Sequence, residues 1–227
     1  WRAAPGVNYT MVLFFLADEL DLVLDPSALV GQARTWVTRL SGGLATWARR
    51  LEFEPFRLRV IGTAGSGKTQ LALRILKDAA AKGQRAQYVC YNRPLADHLA
   101  RLAPATVKVT TFHMLGDQRL RAEGNLPDFR QPGVFDQLAD AYIRTPPSLD
   151  DLLDVLVVDE GQDFAQAWAN ALLAHLKPNG KAWWLEDPMQ NLYDQPRVEL
   201  PGWVTLRADV NYRTPRAILR DIGLFID

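Results

Sequence analysis

Gly62, Thr63, Ala64, Gly65, Ser66, Gly67, Lys68 and Thr69 fit the phosphate-cradling pattern GxxxxGK[ST] at every specified position. Glycines at 62, 65 and 67 let the backbone curl tightly, so that successive N–H groups point inward at phosphate oxygens. Lys68 can then reach the outer phosphates, the Thr69 hydroxyl can hold a magnesium ion, and Gln70 follows on the first turn of a helix whose positive end completes the cradle. A second set of reactive groups lies downstream, where the apolar run Val155, Leu156, Val157, Val158 ends in Asp159 and Glu160. Asp159 can hold the metal, and Glu160 can orient and deprotonate a water molecule. An apolar run ending in two acids is a weak signal alone. After a complete phosphate loop it becomes a strong one, and the chemistry it implies is hydrolysis of a nucleoside triphosphate.

These residues need strands and helices to hold them. Residues 56–61 read as a short strand before the loop and 70–81 as the helix after it, closed by Gly83. The alternation continues with strands near 87–91, 106–111, 152–158, 181–186 and 203–207. Helices are expected over 94–103, 114–121, 134–144, 165–176 and from Thr214 and Pro215 to 226. Pro178, Asn179 and Gly180 read as a turn. Strand after helix after strand predicts an α/β fold, a mostly parallel sheet with helices on both faces. Residues 1–54 form a lead-in. There Leu29, Val30, Ala33, Trp36, Val37 and Leu40 share one face of an expected helix, and Leu44, Trp47, Ala48 and Leu51 share one face of a shorter piece. Both pieces are expected to pack on the main unit, residues 55–227, with binding of a partner protein as the alternative.

The 227 residues are 48% hydrophobic, enough for a substantial core, and 26 basic residues balance 26 acidic ones. Any contact with nucleic acid must therefore come from a local patch. The single cysteine, Cys90, lies in an apolar run and reads as a buried strand thiol, and the expected compartment is the cytoplasm. The longest apolar run, 11–17, is too short to span a bilayer.

Taken together, the motifs resemble a family. VVDEGQD at 157–163 is similar to the DEXQD form of motif II in superfamily 1 helicases of the UvrD and Rep type, and GTAGSGKTQLAL at 62–73 to their motif I. VCYNRPLADHL at 89–99 resembles motif Ia, VTTFHML at 109–115 motif Ib, EDPMQNLYD at 186–194 motif III and LRADVNYRTPRAI at 206–218 motif IV. The resemblance implies a RecA-like P-loop NTPase domain that binds ATP and Mg2+. It implies that Gln162 couples the metal site to motif III, that Gln190 senses the γ phosphate, that Arg213 stabilises charge on the transferred phosphoryl group and that Tyr212 stacks on adenine. It also implies that Tyr91, Asn92, Thr111, Phe112, His113 and Tyr193 lie on the face where single-stranded DNA runs. On the residues alone, Tyr212, Tyr91 and Phe112 could equally be core aromatics and Arg213 a surface ion pair. His113 has no companions at metal-ligand spacing.

The chain departs from the family pattern in several places. Gly161 replaces the usual Ala after the paired acids, Glu186 stands where motif III normally has Gly, and Gln195 replaces an aromatic. No clear match exists for the adenine-reading glutamine upstream of motif I. The short spacing between motifs Ib and II implies a much reduced inserted subdomain. Motifs V and VI, which belong to a second RecA-like domain, do not occur in the sequence, so the expectation is the first half of a motor. The alternatives are an RNA-directed or nucleic-acid-independent P-loop ATPase and a nucleotide-gated protein-interaction module.

Overall fold

The computed structural model describes residues 34–38, 44–190 and 196–208. The expected helix after Thr214 lies outside these residues, as do Tyr193, Tyr212 and Arg213. Seven strands form one sheet in the order β1-β7-β2-β6-β5-β3-β4, and every pairing is parallel. The strands are β1 Arg34–Thr38, β2 Arg57–Gly62, β3 Ala86–Cys90, β4 Lys108–Thr111, β5 Leu153–Val158, β6 Leu176–Glu186 and β7 Val204–Ala208. The helices are α1 Leu44–Trp47, α2 Lys68–Ala81, α3 Arg93–Ala100, α4 Phe112–Ala122, α5 Val134–Arg144 and α6 Gln166–Ala174. This is the expected RecA-like α/β arrangement.

A parallel sheet is covered on both faces, so its inner strands are apolar throughout and sort their side chains by alternation. Val155 and Val157 of β5 join Trp183 and Leu185 of β6 in the core that α2 closes with Leu71, Ile75 and Leu76. Leu156 and Val158 join Ala182 and Trp184 in the opposite core, closed by Phe112 and Leu115 of α4 and by Ala169 and Leu172 of α6. Leu44 of α1 and Ala48 in the turn that follows it are both buried in the first core beside α2. Arg49 also pairs with Asp78 on α2.

Two expectations need correction. The helix expected across the lead-in contains the strand β1, paired along its length with β7. Its sequence, Arg-Thr-Trp-Val-Thr, is dominated by β-branched and aromatic residues, whose strand preference outweighs a helical spacing of apolar positions. The expected turn at Pro178, Asn179 and Gly180 lies inside β6, where the register with β5 jumps from Leu153↔Leu176 to Val155↔Lys181. The turn residues form a bulge, and the Gly180 carbonyl accepts a hydrogen bond of 2.7 Å from Arg57.

Candidate nucleotide site

The strands β2, β6 and β5 are neighbours in that order, so their carboxyl ends converge at one edge of the sheet. β2 ends in the phosphate loop, β5 runs into Asp159 and Glu160, and β6 runs into Asp187. Ligands of open α/β sheets bind beyond the carboxyl ends of the strands, which is where these groups gather.

The loop turns on Gly65 and Gly67, at φ 84° and 94°. Gly67 also starts α2 from the left-handed region, a conformation that a side chain at this position would strain. The buried Lys68 ammonium donates to the carbonyls of Gly62 at 2.6 Å and Thr63 at 3.2 Å, with Asp187 Oδ2 at 3.7 Å. Ser66 Oγ is buried without a hydrogen-bond partner. An orphaned hydroxyl and a lysine held by carbonyls inside a glycine-rich turn fit a nucleotide phosphate, which offers acceptors to both. Thr69 is half-buried and Gln70 exposed on the same first turn of α2.

Asp159 is 1% exposed. Tyr88 on β3 donates its hydroxyl to Oδ2 at 2.8 Å, and the Glu160 N–H donates to Oδ1 at 3.0 Å. Burial, with the Glu160 charge beside it, pushes the Asp159 pKa up to about 6. A divalent cation would reverse that shift by supplying the missing positive charge. Asp159 and Thr69 suit magnesium, which binds to one or two carboxylates and to substrate phosphates. Among the described residues no group of three or more His, Cys, Asp or Glu side chains forms a metal cage of its own.

Glu160 adopts φ 53°, the one non-glycine residue among those described with positive φ. The sharp left-handed turn redirects the chain after β5, and its strain is of the kind stored at functional sites. Gln162 Nε2 donates to Glu160 Oε2 at 2.8 Å, and Gln162 Oε1 accepts the Asp187 N–H at 2.9 Å. Asp187 Oδ2 in turn accepts from Gln190 Nε2 at 2.8 Å. One glutamine thus ties the paired acids of β5 to the end of β6, and Asp187 joins Gln162, Gln190 and Lys68. Lys68, Asp159, Glu160, Gln162 and Gln190 are therefore gathered in one place.

Glu186, the departure in motif III, is a buried strut. It takes a bidentate pair from Arg59, at 3.0 and 2.8 Å, and a second ion pair from Arg197 at 2.8 Å. The departure at Gly161 is also explained, while Gln195 lies outside the described residues. A Cβ at Gly161 would lie 2.1 Å from Trp184 Nε1, so the alanine common in the family cannot fit against this tryptophan.

On the neighbouring edge, Thr111 is buried and caps α4 by accepting the Met114 N–H at 3.3 Å, and the exposed Asn92 caps α3 through Leu95 N at 3.3 Å. Phe112 is 0% exposed and stacks on Trp168 at 4.6 Å, so its ring belongs to the core and offers no face to a base. Tyr91 and His113 are half-buried and pack against each other and against Trp168. Burial lowers the His113 pKa. Three contributors escaped the sequence reading. Asp187 was visible only as the acid of motif III, Tyr88 only as a polar tip in an apolar strand, and Trp168 only as one residue of an expected helix.

Phosphate loop, paired acids and relay on a RecA-like sheet define a P-loop ATPase domain of helicase type. Residues 50–196, well over half of the chain, match AAA_19, an AAA domain family, and the chain belongs to that family. A search of curated proteins finds no match. Among solved structures, the chain is similar to the Sulfolobus solfataricus SWI2/SNF2 ATPase core in complex with dsDNA, at 16% identity and a TM-score of 0.35. The likeness covers 61% of this chain and 29% of that one, so the chain spans less than a third of that protein. No helix among the described residues is long and apolar enough to cross a membrane.

Proposed function

We propose that the chain is the first motor domain of a superfamily 1 DNA helicase or translocase of the UvrD/Rep type, coupling ATP hydrolysis to movement on single-stranded DNA. The observation that carries this reading is the relay Glu160–Gln162–Asp187–Gln190, which links a water-activating acid to the segment assigned to motif III. A plain ATPase needs the acid; a motor needs the acid connected to parts that move.

When bound, Mg-ATP would supply a γ phosphate open to in-line displacement by water and a metal ion to neutralise the developing charge. Gly62 to Gln70 would hold the phosphates, and Thr69 and Asp159 would hold the ion. Lys68 exchanges its two carbonyl partners for phosphate oxygens. Glu160, fixed by Gln162, takes the proton of the attacking water. Gln190, placed by its bond to Asp187, senses the γ phosphate with its amide, Arg213 contributes transition-state charge and Tyr212 stacks on adenine. Tyr91, Asn92, His113 and Tyr193 meet the strand, with Trp168 as a further ring beside them, while Thr111 and Phe112 support that face from within.

The test is the steady-state ATPase rate with and without single-stranded DNA, on this chain and on a version extended through a second motor domain. Glu160→Gln is expected to bind ATP and lose turnover by a factor of about 100 or more. Gln162→Ala should lower the DNA-stimulated rate more than the basal rate. Greater stimulation by RNA would favour an RNA-directed enzyme, and ATP binding without turnover in either form would favour a nucleotide-gated interaction module.

A further inference from the structure

The proposed hydrolysis gives Tyr88 no role, yet a buried hydroxyl at this position needs a reason. The residue is 0% exposed in the core that α2 closes, where phenylalanine would pack as well and leave no polar atom to satisfy. In the register of the sheet Tyr88 lies opposite Val157. The ladder runs one residue past β5, because the Asp159 N–H donates to the Val89 carbonyl at 2.9 Å. Asp159 therefore shares a face with Val157 and is the diagonal neighbour of Tyr88. A tyrosine is long enough to span that diagonal, and its hydroxyl donates to Asp159 Oδ2 at 2.8 Å.

That bond decides how the carboxylate can present itself. The Glu160 N–H occupies Oδ1 at 3.0 Å and Tyr88 occupies Oδ2, so each oxygen keeps a lone pair for a cation. With the Glu160 N–H alone the group could swing, since the terminal torsion of an aspartate is soft. Two donors on two oxygens fix its plane. Gln162 donates to Glu160 and accepts from Asp187, so that relay orients the neighbouring acid and leaves Asp159 to Tyr88. The mount is itself secured, because Cys90, next on the same face of β3, donates to the Asn92 carbonyl at 3.2 Å and ties the strand end to the start of α3.

We propose that Tyr88 is a positioning residue for the metal site: its hydroxyl locks the Asp159 carboxylate in the orientation that receives a magnesium ion. This rests on the reading of Asp159 as the acid that holds the ion. Hydrogen-bonded partners of metal-ligating carboxylates contribute to metal affinity without touching the metal.

The experiment measures ADP binding to the chain by calorimetry, in EDTA and over a series of Mg2+ concentrations, for the wild type, Tyr88→Phe and Asp159→Asn. Tyr88→Phe removes only the hydroxyl. Its metal-free ADP affinity is expected to equal that of the wild type, while the Mg2+ concentration giving half of the metal-dependent tightening rises about tenfold or more. Asp159→Asn should abolish the tightening. If Asp159→Asn responds to Mg2+ as the wild type does, Asp159 does not hold the ion, and both that reading and the role of Tyr88 fall. If Asp159→Asn loses the response but Tyr88→Phe keeps the wild-type Mg2+ requirement, the role of Tyr88 alone is overturned. Equal losses of metal-free and metal-dependent ADP binding in Tyr88→Phe would also overturn it, marking the hydroxyl as a support of the fold.

Discussion

At Asp159 the proposed role of holding a metal and the demands of folding oppose each other. A carboxylate whose folded pKa is about 6, against an ordinary 3.8, binds a proton more readily when folded than when unfolded. Stability in the metal-free state therefore falls as pH rises from about 4 to about 6 and stays lower above that window. Asp159→Asn keeps an acceptor for Tyr88 but removes the charge. It should abolish magnesium-dependent hydrolysis while raising stability at pH 7.5 by roughly 2 kcal/mol, with no gain near pH 4, where the native acid is already neutral. Thermal melts of both proteins at the two pH values, without magnesium, check the sign. Gly161→Ala is the converse case, a small change that should cost about 2–3 kcal/mol because the new methyl group meets the Trp184 indole. In a double-mutant cycle Trp184→Phe should recover part of that loss, measured by urea unfolding. The phosphate loop and the paired acids were legible in the sequence because each is a local pattern of a few residues. Asp187 as a hub and Tyr88 as the partner of Asp159 were not, because both roles depend on which strands lie side by side.

Among the described elements, β6 lies between β2 and β5 in the middle of the sheet, and Glu186 at its end shows what it ties together. Its carboxylate is 1% exposed and holds Arg59 of β2 and Arg197 together. Arg59→Ala should cost about 3 kcal/mol or more by leaving that charge with only its more exposed partner, and chemical denaturation would show it. Arg59→Lys should recover little, since an ammonium cannot reproduce the two parallel hydrogen bonds. Most strands and helices were legible because continuous apolar runs mark buried parallel strands and 3.6-residue spacing marks the covering helices. The two misread elements share a cause: in β1 and in the β6 bulge the local signal, helical spacing or turn residues, competes with pairing to a strand far away in sequence.

For the molecule as a whole, the lead-in shares its core with the rest. Leu44 lies outside the matched family region, 50–196, yet it is 1% exposed among residues of α2 and the sheet. Leu44→Ala should destabilise the entire domain by about 2–4 kcal/mol in one cooperative transition, not merely loosen an appendage. Matching melts followed by circular dichroism and by tryptophan fluorescence would establish this. The addition of β1 to the sheet also has a mechanical side. With β1 on one flank and β2 on the other, β7 is an interior strand, and both of its ladders run parallel. Tension applied to the chain beyond Ala208, where the segment with Tyr212 and Arg213 begins, would load two sets of backbone hydrogen bonds in shear. As an edge strand β7 would have only one ladder to resist that load. The upstream strand thus acts as a brace, and under the proposed motor role it would let force pass through β7 without unzipping the sheet.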